Sequence, residues 1–291
     1  MESKDEHFRD VPWSREPRYV RRLREDATRV SSVPRALYAQ FRRARIQVRI
    51  IGDVSVWSRP GQACLLVGDH RDRFELAPLF AMLGSCGRSD VHIIAKSYSM
   101  SAAIIRAAGR AAEGIVLPVD PGTLAGDRPI VLNRDLPQRV RLGRQALTRA
   151  ALREANRRTI ARAAELLVAG HLVTLFPCGA VTSALRSPWR PGLGRLIKQL
   201  EPEQRIEVHI VLFRFDDFAP TRLVRRLLLD SHDVRPRRPL PLTLRIGAQG
   251  SVHEMLGAEA PIDLLTAEEI TERLRRRYQG VFGRFQPGLD R

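Results

Sequence analysis

The apolar residues of this chain gather into short continuous runs: "CLLV" at 64–67, "VHIIAK" at 91–96, "GIVLPVD" at 114–120, "HLVTLFP" at 171–177 and "IEVHIVLF" at 206–213. A continuous run suits a strand covered on both faces, because both sets of its side chains then meet apolar neighbours. Such strands need helices above and below them. Segments 31–45, 74–84, 99–112, 138–169 and Thr266 to Tyr278 read as those helices. "IQVRIIGDVSVW" (46–57) alternates and predicts a strand or strand pair, and "LTLRIGA" (242–248) predicts the last strand. Strands alternating with helices predict an α/β fold, a single domain with a mixed, mostly parallel central sheet flanked by helices. Three stretches are expected: a basic arm and amphipathic helix over 1–45, the α/β domain over 46–255, and a C-terminal helical extension over 256–291 that packs on it.

The formal net charge is +17. A field of that sign draws nucleic acid, anionic lipid or acidic small molecules. The cations are almost all arginine, with Lys4, Lys96 and Lys198 the only lysines. That chain-wide bias makes a single arginine uninformative, whereas clusters still act through their charge. One cluster lies in "SSVPRALYAQFRRAR" (31–45), which reads as a helix with serine at its cap and Pro34 just inside. Val33, Leu37 and Phe41 share one side of it, and Arg35, Arg42, Arg43 and Arg45 the other. Such a helix either lies in a membrane interface or packs on its own domain. A second cluster is 134–162, with nine arginines against Asp135 and Glu154.

Cys64, Cys86 and Cys178 form neither a metal-ligand spacing nor an even disulfide set, so a reduced cytoplasmic setting and no metal are expected. The opening "MESKDEHFRD" does not read as a signal peptide, and no apolar run approaches the roughly 20 residues that cross a bilayer. The expected location is cytoplasmic, peripheral on the inner face of the cell membrane.

Chemistry is most concentrated in "VGDHRDRFELAPLF" (67–80). The buried run ends in Gly68-Asp69-His70, and a helical pattern starts within a few residues. Strand ends are where α/β proteins converge loops on a crevice. Glu75, in the first turn of the helix, can fold back toward the His70 imidazole. A carboxylate bonded to one ring nitrogen fixes the tautomer and raises the basicity of the other. The pair is then a general base able to take a proton from a substrate alcohol. Asp72 could equally partner His70, and a plain surface pair is the non-catalytic reading.

A second window, "TLFPCGAVTSALRSPWRPGLGRLI" (174–197), runs from a buried strand into Pro177-Cys178-Gly179, then through a loop to Trp189-Arg190-Pro191-Gly192 at a helix start. A glycine turn beside a helix start can present N–H groups to an anion.

Together the two windows resemble the glycerolipid acyltransferase superfamily, which includes lysophosphatidic acid and glycerol-3-phosphate acyltransferases. The family's N-H-x-S-x-x-D motif falls on Asp69-His70-Arg71-Asp72-Arg73-Phe74-Glu75. The His-x4-Glu form resembles relatives that acylate glycolipids. F-P-E-G-T-R falls on Phe176-Pro177-Cys178-Gly179-Ala180-Val181, F-K-x-G on Trp189-Arg190-Pro191-Gly192, and a strand ending in Ala-Lys on Ala95-Lys96. The match spans roughly 46–250 and rests on the order and spacing of these pieces.

The resemblance implies an O-acyltransferase that needs no cofactor. It would move a fatty acyl group from acyl-CoA or acyl carrier protein to a lipid hydroxyl, at an anionic membrane surface. His70 would be the general base and Glu75 its partner, with substrate contacts from Asp72, Arg73, Lys96, Phe176, Pro177, Cys178, Gly179, Arg186, Arg190 and Gly192. Cys178 and Val181 stand where the family keeps a glutamate and an arginine associated with a phosphorylated acceptor. Glycerol 3-phosphate is therefore expected to be a poor acceptor unless Arg186 or Arg190 takes over. The alternatives are a catalytically degenerate relative and an arginine-rich nucleic-acid-binding protein. No helix-turn-helix, zinc-finger or RNP-like pattern supports the second. A serine or cysteine hydrolase would need a G-x-S-x-G elbow, which is absent.

Overall fold

The computed structural model describes residues 32–69, 75–96, 116–119, 149–178, 185, 187–216, 222–223, 238–257 and 261–283. Their strands are β1 (Ile46–Ile51), β2 (Cys64–Gly68), β3 (Val91–Lys96), β4 (Val116–Val119), β5 (Leu172–Leu175), β6 (His209–Phe215) and β7 (Leu240–Ser251). They form one seven-stranded sheet in the order β1-β7-β6-β2-β5-β3-β4. The five strands from β6 to β4 are parallel. β7 runs antiparallel to β6, and β1 runs parallel to β7. The sheet is mixed and mostly parallel, as the apolar runs require.

The described helices are α1 (Val33–Arg43), α2 (Leu76–Ser85), α3 (Arg149–Val168), α4 (Gly192–Lys198), α5 (Pro202–Glu207), α6 (Val252–Leu256) and α7 (Ala267–Phe282). Alternation along β2 shows how they cover the sheet. Leu65 and Val67 enter a core with α3, α4, α6 and α7, including Leu167, Leu193, Leu196, Leu274 and Tyr278. Cys64 and Leu66 enter the opposite core, with Leu79, Met82 and Leu83 of α2 and with Trp57. A third, smaller core joins Phe41, Ala44, Ile46, Ala81, Leu223 and Leu242 under α1.

Two stretches differ from the sequence reading. The alternation of 46–57 carries a strand only to Ile51, and residues 55–58 form a turn. Gly52 adopts φ +116, and the Asp53 carboxylate accepts from the Ser55 N–H at 2.8 Å, so a local side-chain bond replaces the ladder. Trp57 is buried by that turn, which explains the misleading apolar period. The run 206–213 begins inside α5. Pro202 opens that helix, and a reciprocal cap joins Glu201 to Gln204. The helical patterns at 99–112 and 138–148 lie outside the described residues.

α1 leaves its apolar side packed rather than open. Phe41 is buried and Leu37 packs in the core beneath it. Its chain crosses α2 at Gly84, where a Cβ would collide with the Pro34 carbonyl, so only glycine permits this approach. Gly84 lies within α2, and Gly87, at φ +78, follows the helix end.

Candidate active site

β2 and β5 are adjacent, and Val67 is level with Leu175. The helices that follow these two strands lie on opposite faces of the sheet. After β2 the chain enters α2, whose Leu79, Met82 and Leu83 lie in one core. After β5 it reaches α4, whose Leu193, Leu196 and Ile197 lie in the other. Helices that follow neighbouring strands onto opposite faces mark, at the carboxyl ends of those strands, the usual ligand position of open α/β sheets. Both sequence windows issue from that point.

On the β2 side, Asp69 and Glu75 are buried, at 2% and 1% exposure. Two acidic residues withdrawn from water at a strand end are costly unless polar partners meet them. Glu75 occupies the cap position of α2, yet its carboxylate does not cap the helix. Gly68, just before, has the Phe213 ring packed where a Cβ would stand. His70, Asp72 and Arg73 lie outside the described residues.

On the β5 side, the Cys178 thiol is buried, and burial, with the Asp69 carboxylate adding, pushes it up to about 11. A thiol so raised holds a negligible thiolate fraction at neutral pH, which argues against a cysteine nucleophile. Arg190 binds back onto this turn: its backbone N–H donates to the Pro177 carbonyl at 2.9 Å and its Nε to the Cys178 carbonyl at 3.4 Å. Arg190 and Arg275 of α7 both oppose the rise of the thiol, so two cations face the same turn. Arg275 was not singled out by sequence, because nothing in its helix distinguishes it from Arg276 and Arg277. It is held by Glu272, with Nε···Oε2 of 2.7 Å.

The other expected contacts divide. Phe176 packs against Phe213 with ring centroids 6.1 Å apart, and belongs to the core beside α2. Pro177 is buried. Gly192 opens α4, a helix of only seven residues, and the nearby Gly194 N–H already donates to Thr271 at 3.0 Å. One of the first N–H groups of that helix is thus used within the fold, while nothing stands within 4 Å of where a Cβ on Gly192 would be. Lys96 ends β3. Gly179 and Arg186 lie outside the described residues. Trp189 stacks edge-on against Tyr278 at 5.4 Å, as a packing residue.

A recess of about 450 Å³ lies elsewhere. It lies at the amino-terminal edge of the sheet, lined by Gln62, Gly170, Glu207 and His209 among others. The opposite-face geometry at the β2 and β5 ends is the stronger guide, because it is built from the path of the chain and meets the buried carboxylates.

The amino-terminal edge also holds a histidine pair. His92 is fully buried on β3, and its Nε2 lies 2.8 Å from Nδ1 of His171. One ring must donate and the other accept, so two imidazolium ions cannot share this bond. Burial pushes His171 below its ordinary 6.5; Asp90 opposes this, while Arg88 and Arg162 add to it. A depressed folded value means that the unfolded chain binds more protons. Stability is therefore held above the ordinary histidine value and lost as pH falls through it. We expect the urea midpoint to drop between about pH 7.5 and about pH 5. His171→Gln should flatten that slope. An equal slope in the variant would place the acid sensitivity elsewhere.

No family model matches the chain, and no curated protein matches it.

Proposed function

We propose that this protein is an acyltransferase that moves a fatty acyl group from a thioester, acyl-CoA or acyl carrier protein, to the hydroxyl of a lipid. The observation that carries this is the pair of buried acidic residues, Asp69 and Glu75, bracketing His70 in sequence at a strand end where the chain paths diverge. The resemblance of the two windows to the glycerolipid acyltransferases supplies the reaction class.

In this reading His70 takes the proton of the acceptor hydroxyl as its oxygen attacks the thioester carbonyl. Glu75 holds the imidazole and offsets its charge. The oxyanion collapses, the C–S bond breaks, and the departing thiolate recovers the proton from His70. The products are an ester and a free thiol, so no redox step or metal is required. Cys178 takes no part, in keeping with its raised thiol.

The arginines of α3 give less support to nucleic-acid binding. Glu154 bridges both Arg157 and Arg158 at 2.8 Å, which removes part of the helix's surface charge.

The acceptor follows from Cys178 and Val181. A phosphate dianion entering a site that lacks one charge-assisted contact loses about 1.5–3 kcal/mol. That is roughly 10- to 150-fold in binding. A glycolipid or neutral lipid hydroxyl is the preferred class. The test is transfer from acyl-CoA to glycerol 3-phosphate, a lysophospholipid and a glycolipid, read as ester formed. Glycolipid turnover should be fastest and glycerol 3-phosphate slowest. Fastest turnover of glycerol 3-phosphate would reverse the acceptor assignment, and no ester with any acceptor or donor would remove the reading.

A further inference from the structure

One turn of α7 faces the loop that follows β5. The Gln279 Nε2 donates to the Leu185 carbonyl at 2.7 Å, and the Tyr278 ring meets Trp189. The Tyr278 hydroxyl donates to the carbonyl of Phe213, which is level with Gly68 at the end of β2. Arg275 lies four residues before Gln279 and three before Tyr278, so it shares their side of the helix. Its charge is felt by the Cys178 thiol, as is that of Asp69. Arg275 therefore stands beside the carboxyl ends of β2 and β5.

The way Arg275 is held leaves donors for another molecule. Its Nε and Nη2 bind the two carboxylate oxygens of Glu272, at 2.7 and 2.9 Å. Among the described residues Glu272 is its one partner. A guanidinium carries five N–H groups in a rigid plane. The edge formed by Nη1 and the outer side of Nη2 is thus open, and its fork matches two oxygens of a phosphate. Glu272 also binds Arg276 at 3.2 Å, so the three side chains together keep one positive charge. Arg276 stands in solvent at 76% exposure, whereas Arg275 is sunk against the fold at 24%. A cation already fixed in place has little rotamer entropy left to lose on meeting an anion.

We infer that Arg275 is a donor-binding residue: the open edge of its guanidinium takes the phosphate at the root of the pantetheine arm. Acyl-CoA and acyl carrier protein both carry that phosphate, so one contact serves either thioester. The inference rests on the acyl-transfer reading, whose preferred acceptor is a neutral hydroxyl, which leaves the donor as the source of the anion. Glycerol 3-phosphate offers the same chemistry from the acceptor side, and the test separates the two.

The test is calorimetric titration of the full chain with phosphopantetheine and with pantetheine, which differ by that phosphate. The wild type should bind phosphopantetheine more tightly by about 10- to 150-fold, the span expected of one charge-assisted contact. Arg275→Gln should erase the preference and leave pantetheine affinity unchanged. Arg275→Lys keeps the charge without the fork; it should fall between the two, and it covers a failure of the first variant to fold. Arg276→Gln removes a charge from the same glutamate and should behave as wild type. No preference in the wild type, or an undiminished one in folded Arg275→Gln, would overturn the proposal. An equal loss in Arg276→Gln would do so too, by reducing the effect to the general field. Weakened binding of glycerol 3-phosphate in Arg275→Gln, with phosphopantetheine affinity unchanged, would move the contact to the acceptor and overturn the donor assignment. Phosphate-dependent binding by a wild type that forms no ester with any acceptor would remove the acyl-transfer reading and leave this contact standing.

Discussion

His70→Ala is expected to abolish acyl transfer and leave the fold intact. A positioned general base contributes about 10²- to 10⁴-fold. The raised Cys178 thiol is not a base near neutral pH, and Asp69 is buried. Glu75→Gln should lower kcat with KM little changed, and should move the acid limb of the pH profile, because the amide no longer stabilises an imidazolium. Thermal unfolding of both variants checks that the loss is chemical. Full activity of folded His70→Ala would remove the histidine from the mechanism.

Arg88→Met is expected to cost more stability than any other single change at a described polar residue. Arg88 is fully buried at the amino-terminal edge. Its Nε and Nη2 grip Asp90, each at 2.8 Å. Nη1 donates to the carbonyls of Arg59 and Gln62, and Nη2 to that of Gly170. One guanidinium thus fastens the loop before β2, the turn before β5 and the start of β3. Breaking a buried pair costs about 3–5 kcal/mol because the partner is left unmatched. That is a large share of the roughly 5–15 kcal/mol that holds a domain folded. Arg88→Met/Asp90→Leu should recover part of the loss, since no carboxylate then remains unpaired. Urea unfolding of the two variants measures both effects. An Arg88→Met loss below about 1 kcal/mol would show that water takes over these carbonyls.

The sheet was legible where one strand satisfied one rule. The runs at 64–67, 91–96 and 171–177 are apolar on both sides because helices cover both faces, and each lies within a residue or two of its strand. Strand order was not legible, since it depends on partners far along the chain. The His92–His171 bond exists only because β3 lies beside β5. Arg88 was invisible for another reason: in a chain so rich in arginine, a buried one looks like its solvated neighbours. At the candidate site, the strand end and acidic flank were readable from residues 64–75. The short α4, its N–H spent on Thr271, was not, because that bond comes from a helix far along the chain.

The pairing of β1 with β7 bears on how the chain is made. Ile46 pairs with Leu240, so the first strand waits for the last. Contacts between distant segments form late, after the loop entropy between them has been overcome. During synthesis the parallel strands β2 to β6 can assemble while α1 and β1 remain undocked. Leu223 and Leu242, which complete the core under Phe41, also arrive late. The core under Phe41 therefore closes only when the C-terminal strand completes the sheet. A nascent chain carries α1 with its apolar side still uncovered, so its N-terminal helix stays undocked until the last strand has been made.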